Sequence, residues 1–410
     1  LTPPNAPQHP ARPILAVITG HLTPYRIAYH RRIAAEIPEL QLSTLVTKYR
    51  TGPWVNPDVA EIGTVLFDRE PPPGALTSMI LDRGGRSRSQ HLSHELGTAK
   101  RVWSWLQQHR PAALVCGGYD ELPVLNALRW AGRRSVPAFL WTDSNVHGDM
   151  ATGLRRLAKN VYVPRITARY SGILVCGTAG RKFFHRYGVP DEKLFIMPVE
   201  PDYAAIERMP DVEADQIAHT LGLEPVRKRL VCCCRLIPVK RVDLVIDAFR
   251  TLAAERPDWD LIIVGKGEAR SDLEVRAGSL LADRRVRFLG FQNTAGLAAI
   301  YRRSHALVLA SDYEPWALVV NEAATAGMAI IASDRVGAAY ELVKSGTSGF
   351  VFPAGNVGAL TDCLRGVTDP TRTDTMRAAS HAQILRWRRE ADPIRGLRTA
   401  LHARGILKSV

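Results

Sequence analysis

An α/β fold of two Rossmann-like domains facing across a cleft is what the sequence predicts, on three observations. Short apolar runs alternate with helical stretches through almost the whole chain. The alternation breaks at the proline-bearing stretch 198–210, PVEPDYAAIERMP, and then restarts. The length of 410 residues suffices for two domains with full cores.

Residues 1–12 are proline-rich, lack an apolar signal core and read as a flexible tail. The first domain, 13–200, opens with strand 13–18, which ends at Thr19-Gly20-His21. Residues 25–37 read as a helix with Ile27, Ile33 and Ala34 inward and Arg26, Arg31 and Arg32 outward. Strands 40–46, 112–116, 138–141 and 172–175 alternate with helices near 91–108, 122–131, 154–170 and 179–187, and Pro164 is expected to start, end or kink its helix. The second domain, 201–385, repeats the pattern. Its strands are 230–233, 260–264, 286–289 and 306–309, and its helices 239–255, 269–281 and 294–304. Short apolar strands separated by helices indicate parallel sheets covered on both faces. Residues 386–410 form a C-terminal helical segment.

At 46% hydrophobic and 23% charged the composition is that of an ordinary globular protein, and no apolar run reaches the roughly 18 residues of a membrane span. The six cysteines show neither C-x-x-C pairs nor zinc spacing, so they read as small apolar side chains in a reducing cytoplasm. The net charge of +14 is uneven. Residues 1–200 hold 25 Lys+Arg against 15 Asp+Glu, the remainder 29 against 25. Basic clusters fall at Arg83/Arg86/Arg88, Arg129/Arg133/Arg134, Arg155/Arg156/Lys159 and Arg181/Lys182. Such a surplus favours an anionic or lipid-linked partner, or peripheral contact with the inner membrane face, against the plainer reading of solvated basic faces. No motif points to nucleic acid.

Residues 311–343, SDYEPWALVVNEAATAGMAIIASDRVGAAYELV, carry the chemistry. A strand breaks at Ser311-Asp312, and Glu314 and Glu322 follow with seven residues between them. Pro315 suits a first helical position, residues to about 326 suit a helix, and Gly327 stops it. A helix just past a parallel strand aims its free N–H groups into the crevice above the sheet, where anions bind. A carboxylate at the helix mouth and another two turns along suit a ligand with a charged middle and hydroxylated ends. A capping glutamate with a solvated one is the alternative. No Asp-x-Asp at a strand end and no His/carboxylate cluster is spaced for a metal.

The stretch resembles the E-x7-E signature of the family-4 retaining glycosyltransferases, which have the GT-B fold. Gly327 to Ser333 resembles the family's G-x-P-V-I-A-S strand, Gly337 to Val343 its G-G-x-x-E-x-V helix start, and Ser345 to Phe352 its d-G-x-x-G-x-l-v turn. Cys234 to Arg241 resembles G-R-L-x-x-x-K-G, and Val264 to Gly267 resembles V-G-x-G. The resemblance implies a UDP- or GDP-linked sugar donor in the second domain, an acceptor in the first, no further cofactor, and a C-terminal segment that crosses back. Arg235, Lys240 and Glu314 become the catalytic candidates, with two fixed cations neutralising a leaving diphosphate. Glu322 is assigned to the ribose. Gly20, Gly265, Phe291, Pro315, Trp316, Ala317 and Leu318 are assigned to the rest of the donor. His21, Asp143 and His147 are candidates for the acceptor or sugar, with His21 also open to a catalytic-base or a structural role. Pro315, Ala317, Ala338 and Arg241 depart from the family pattern, all four where it has glycine. A sugar-nucleotide epimerase, a pseudo-glycosyltransferase and an inactive nucleotide-binding scaffold are the alternatives.

Overall fold

The computed structural model describes residues 12–48, 59–67 and 88–408, with side chains in the helix Arg88–His109 described from Glu95 onward. Nearly all of the expected tail, and the side chains of the Arg83/Arg86/Arg88 cluster, lie outside the described residues.

Two parallel sheets make up the frame. The first holds β1 (Ile14–Thr19), β2 (Gln41–Val46), β3 (Thr64–Leu66), β4 (Ala113–Gly117), β5 (Ala138–Thr142), β6 (Gly172–Val175) and β7 (Leu194–Ile196), in the order β3-β2-β1-β4-β5-β6-β7. The second holds β8 (Lys228–Cys233), β9 (Trp259–Val264), β10 (Val286–Gly290), β11 (Ala306–Leu309), β12 (Ala329–Ser333) and β13 (Gly349–Phe352), in the order β10-β9-β8-β11-β12-β13. Each is doubly wound. The order reverses between β1 and β4 and between β8 and β11, and the loops leaving the carboxyl ends there open a crevice.

Alternating side chains explain why the strands read as continuous apolar runs. In β8, Leu230 and Cys232 enter the core on one sheet face, while Val231 and Cys233 enter the core on the other. Strands β3 and β7 are three-residue edge strands, too short to stand out in the sequence. The stretch expected as one helix over 269–281 is two, Arg270–Ala277 and Ser279–Ala282, divided at Gly278 with φ 55°. Pro164 lies inside the helix Gly153–Ala168 without ending it, and Asn160, whose carbonyl loses its helical partner, is exposed to water.

The helix Thr373–Glu390 packs Met376 and Ile384 into the two cores of the second domain. The helix Pro393–His402 instead puts Ile394, Leu397, Ala400 and Leu401 into the first-domain core with Leu15, Val17 and Val115. The chain therefore crosses between domains at Ala391-Asp392. Arg32, read from periodicity as outward, belongs to this crossing. Its guanidinium donates to Glu200 at 2.8 Å and to Asp392 at 2.6 Å, because the crossing segments cover that face of the helix Pro24–Glu36.

Candidate active site

A cavity of about 380 Å³ lies between the carboxyl ends of the two sheets. The first domain contributes Tyr25, Arg26, Thr142 and Asp143, and the second contributes Glu314 to Leu318.

The second-domain wall is built by loops stacked edge to edge. Arg235 follows β8 and is exposed, with no side-chain hydrogen bond among the described residues. Its loop is fixed by its neighbours: the Cys234 N–H donates to the Val264 carbonyl at 3.1 Å, and the Leu236 N–H to the Lys266 carbonyl at 2.9 Å. Gly265, with φ 139°, is required here, since a Cβ would lie 1.9 Å from the Cys234 carbonyl oxygen. The demand comes from the neighbouring loop of the protein itself. Phe291 is 39% exposed after β10, with the Lys266 ammonium 5.9 Å from its ring centre.

Lys240 ends a single 3-10 turn, Pro238–Lys240, and is almost buried. Its ammonium donates to the Glu314 carboxylate. Burial pulls the Lys240 pKa down, with the neighbouring Arg235 charge acting in the same direction, while the adjoining carboxylate favours the charged form. Arg241 holds a left-handed backbone, φ 49°, where the family pattern has glycine, and ion pairs to Asp243 and Asp312 accompany it.

The expected helix start at Pro315 is corrected. Glu314 and Trp316 are paired to a neighbouring loop: the Glu314 N–H donates to the Arg335 carbonyl at 3.1 Å, and the Ala338 N–H to the Trp316 carbonyl at 2.8 Å. The helix runs Leu318–Thr325, and Ala317, at φ 80° and ψ 81°, turns the chain into it. The Trp316 indole anchors the turn. It is buried, donates to Asn321 Oδ1 at 3.0 Å and packs against Trp387. The partners at Arg335, Ala338 and Trp387 outweigh the fitness of Pro315 for a first helical position. Pro315, Trp316, Ala317 and Leu318 all still line the cavity.

Glu322 lies off this cavity and lines a neighbouring one of about 380 Å³ with Thr294, Leu297 and Tyr301, and Tyr25 borders both. The Tyr301 hydroxyl donates to Glu322 Oε2 at 3.1 Å. Burial pushes the Glu322 carboxyl up to about 7, against that hydrogen bond.

On the first-domain wall, Asp143 is open to the cleft yet walled by protein, and this desolvation pushes its carboxyl up. Gly20 and His21 follow β1 but do not line the cavity. A Cβ at Gly20 would meet only ordinary contacts, the nearest at 3.7 Å. His147 does not line the cavity either. Its Nε2 lies 2.7 Å from the Tyr340 hydroxyl and its Nδ1 3.4 Å from Arg335, so it joins the domains beside the cleft, and burial lowers its pKa. Asn145, which the sequence reading passed over, donates to the Pro315 carbonyl at 2.8 Å.

Arg26, expected to face solvent, lines the cavity, bonds Thr19 Oγ1 and lies over the Trp141 ring at 5.6 Å. Helical periodicity separates an inward from an outward face, but it does not separate bulk solvent from a cleft. The position of Arg26, in the first turn of the helix that follows the first strand, was the available signal. Among the described residues no group of three His, Cys, Asp or Glu side chains is arranged to hold a metal ion. No helix of the described residues is long and apolar enough to cross a membrane.

Residues 215–375 match the model of the family described as glycosyl transferases group 1. An uncharacterized glycosyltransferase of Methanocaldococcus jannaschii is 32% identical over 135 residues, 33% of this chain and 34% of that protein. A GDP-mannose-dependent alpha-(1-6)-phosphatidylinositol monomannoside mannosyltransferase of Mycolicibacterium smegmatis is 28% identical over 331 residues, 74% of this chain and 82% of that protein. The match to the first of these relatives thus spans about a third of its length. The crystal structure of Anabaena HepE in complex with UDP and glucose superposes at a TM-score of 0.68 with 17% identity, over 96% of this chain and 100% of that one. That likeness concerns the fold, which is GT-B.

Proposed function

We propose, from a second domain whose residues 215–375 match the glycosyl transferases group 1 model, that this protein is a retaining glycosyltransferase. It moves a sugar from a UDP- or GDP-linked donor to an acceptor hydroxyl. The observation that carries the reading is the Lys240–Glu314 pair, with Arg235 beside it, at the strand ends facing the mouth of the helix Leu318–Thr325. Nucleotide-sugar relatives support the donor class: the Mycolicibacterium smegmatis protein is described as GDP-mannose-dependent, and HepE was solved with UDP.

In this reading the nucleoside occupies the cavity at Thr294 and Leu297, its ribose hydroxyls donating to Glu322. The diphosphate takes Arg235 and Lys240. Lys240 donates to Glu314, so an arriving phosphate competes for the ammonium and frees the carboxylate to accept sugar hydroxyls. The sugar then lies in the cleft cavity against Pro315 to Leu318, opposite Asp143 and Arg26. Bond cleavage builds charge on the diphosphate, which the two cations and the helix N-terminus stabilise without needing a metal ion. The acceptor hydroxyl attacks from the face the diphosphate leaves, and a phosphate oxygen takes its proton. The linkage keeps the donor's anomeric configuration. The basic first domain favours an anionic or lipid-linked acceptor. An NMR assignment of the new glycosidic bond tests retention: the donor's configuration is expected, and an inverted product overturns this mechanism.

A further inference from the structure

The helix Gly153–Ala168 stands on its C-terminal half. Val163, Ile166 and Thr167 are buried, whereas Leu154, Leu157 and Val161 in the first turns are 84%, 62% and 54% exposed. Met150, just ahead of the helix, is 79% exposed. Spacings of three and four residues put Leu154, Leu157 and Val161 on one stripe of the helix. A contiguous exposed apolar stripe marks an interaction surface.

The stripe adjoins a groove of about 520 Å³ between this helix and the helices Arg88–His109 and Leu122–Arg133. Leu122, Leu125 and Ile166 give it an apolar lining. Lys100, Arg129, Arg165 and Arg169 supply its charge, all four exposed, and among the described residues no carboxylate lines it. None of the four forms an ion pair with a described residue. The root of the helix is tied to the cleft side of the domain, where Asp149 accepts from Arg156 at 2.5 Å, Lys159 at 3.1 Å and Arg186 at 3.0 Å. Seven positions separate Met150 from Asp143 in the cleft wall.

We propose that this stripe and groove dock the first domain on an anionic lipid bilayer. The apolar first turns would sit in the interfacial layer and the four cations against acidic headgroups. Charge complementarity selects this occupant. A second copy would press one basic first domain against another, while a bilayer offers apolar depth and negative charge in one surface. The consequence for a lipid-borne acceptor rests on the proposed function; the docking itself does not.

The test uses the full chain without donor or acceptor, so its outcome is independent of transferase activity. Wild type is expected to sediment at low salt with vesicles of phosphatidylcholine containing phosphatidylglycerol, and not with phosphatidylcholine alone. Leu154→Ser/Leu157→Ser/Val161→Ser should lower that partitioning by about tenfold or more, with unfolding temperature unchanged because the side chains are exposed. Arg129→Gln/Arg165→Gln/Arg169→Gln should lower it as well. Wild type that ignores acidic vesicles overturns the proposal. So does triple-serine protein that binds as wild type, which would leave only diffuse charge. A wild-type dimer that the triple-serine change dissolves would assign the stripe to a second copy and overturn it too.

Discussion

Glu322 shows how one carboxylate couples the proposed ligand to pH. The unfolded group titrates near 4.5, and burial raises the folded group to about 7. The folded chain therefore holds a proton that the unfolded chain has lost between these values. The stability this contributes is fully present below the unfolded pKa and is lost as pH rises through about 7. Glu200, also raised by burial to about 7, contributes with the same sign, so only the difference between wild type and Glu322→Gln isolates the effect. Ribose hydroxyls that donate to the ionised carboxylate should bind that form more tightly. Donor affinity should rise from about pH 6 to about pH 8 with proton release, and Glu322→Gln should flatten this component. Calorimetry in buffers of different ionisation enthalpy checks both. An unchanged pH profile in the variant would remove Glu322 from the donor site. The glutamate was legible in the sequence through its spacing from Glu314, whereas its burial under Tyr301 and its separate cavity depend on chain 21 residues upstream packing over it.

At the scale of elements, the loop Glu314–Ala317 is where local pattern and tertiary contact part. Proline fits a first helical residue and an extended residue equally well, and the sequence around it offers apolar helix formers. What decides is remote: pairing to residues 335–338, and the Trp316 indole packed on Trp387. Local periodicity contains none of these partners. It did reveal the strands, because the central ones are buried on both sheet faces and read as continuous apolar runs. It said nothing of their order. Two of the departures from glycine, Arg241 and Ala317, keep left-handed backbone, while Ala338 is right-handed with φ −66° and carries no such strain. For an L residue that conformation costs about 1 kcal/mol or more. Ala317→Gly is therefore expected to raise stability by about 1 kcal/mol in denaturant unfolding. A loss of stability in the variant would mean that the Ala317 methyl, buried at 8% exposure, contributes more by packing than its backbone costs.

The whole molecule turns two separately folded sheets into one site. The cavity takes its walls from both domains, and Asn145, His147 and the chain crossing at Ala391-Asp392 hold them in register. The central claim is that two protein cations at this junction carry the leaving diphosphate. Release of nucleoside diphosphate from a panel of UDP- and GDP-sugars, with EDTA present throughout, tests it most directly. The account predicts steady release from at least one donor by wild type, and a fall of about 10²-fold or more in Arg235→Ala and in Lys240→Ala, by analogy with removing one donor to a developing charge. Release that requires added Mg²⁺ or Mn²⁺, or that continues at the wild-type rate in both variants, would contradict it.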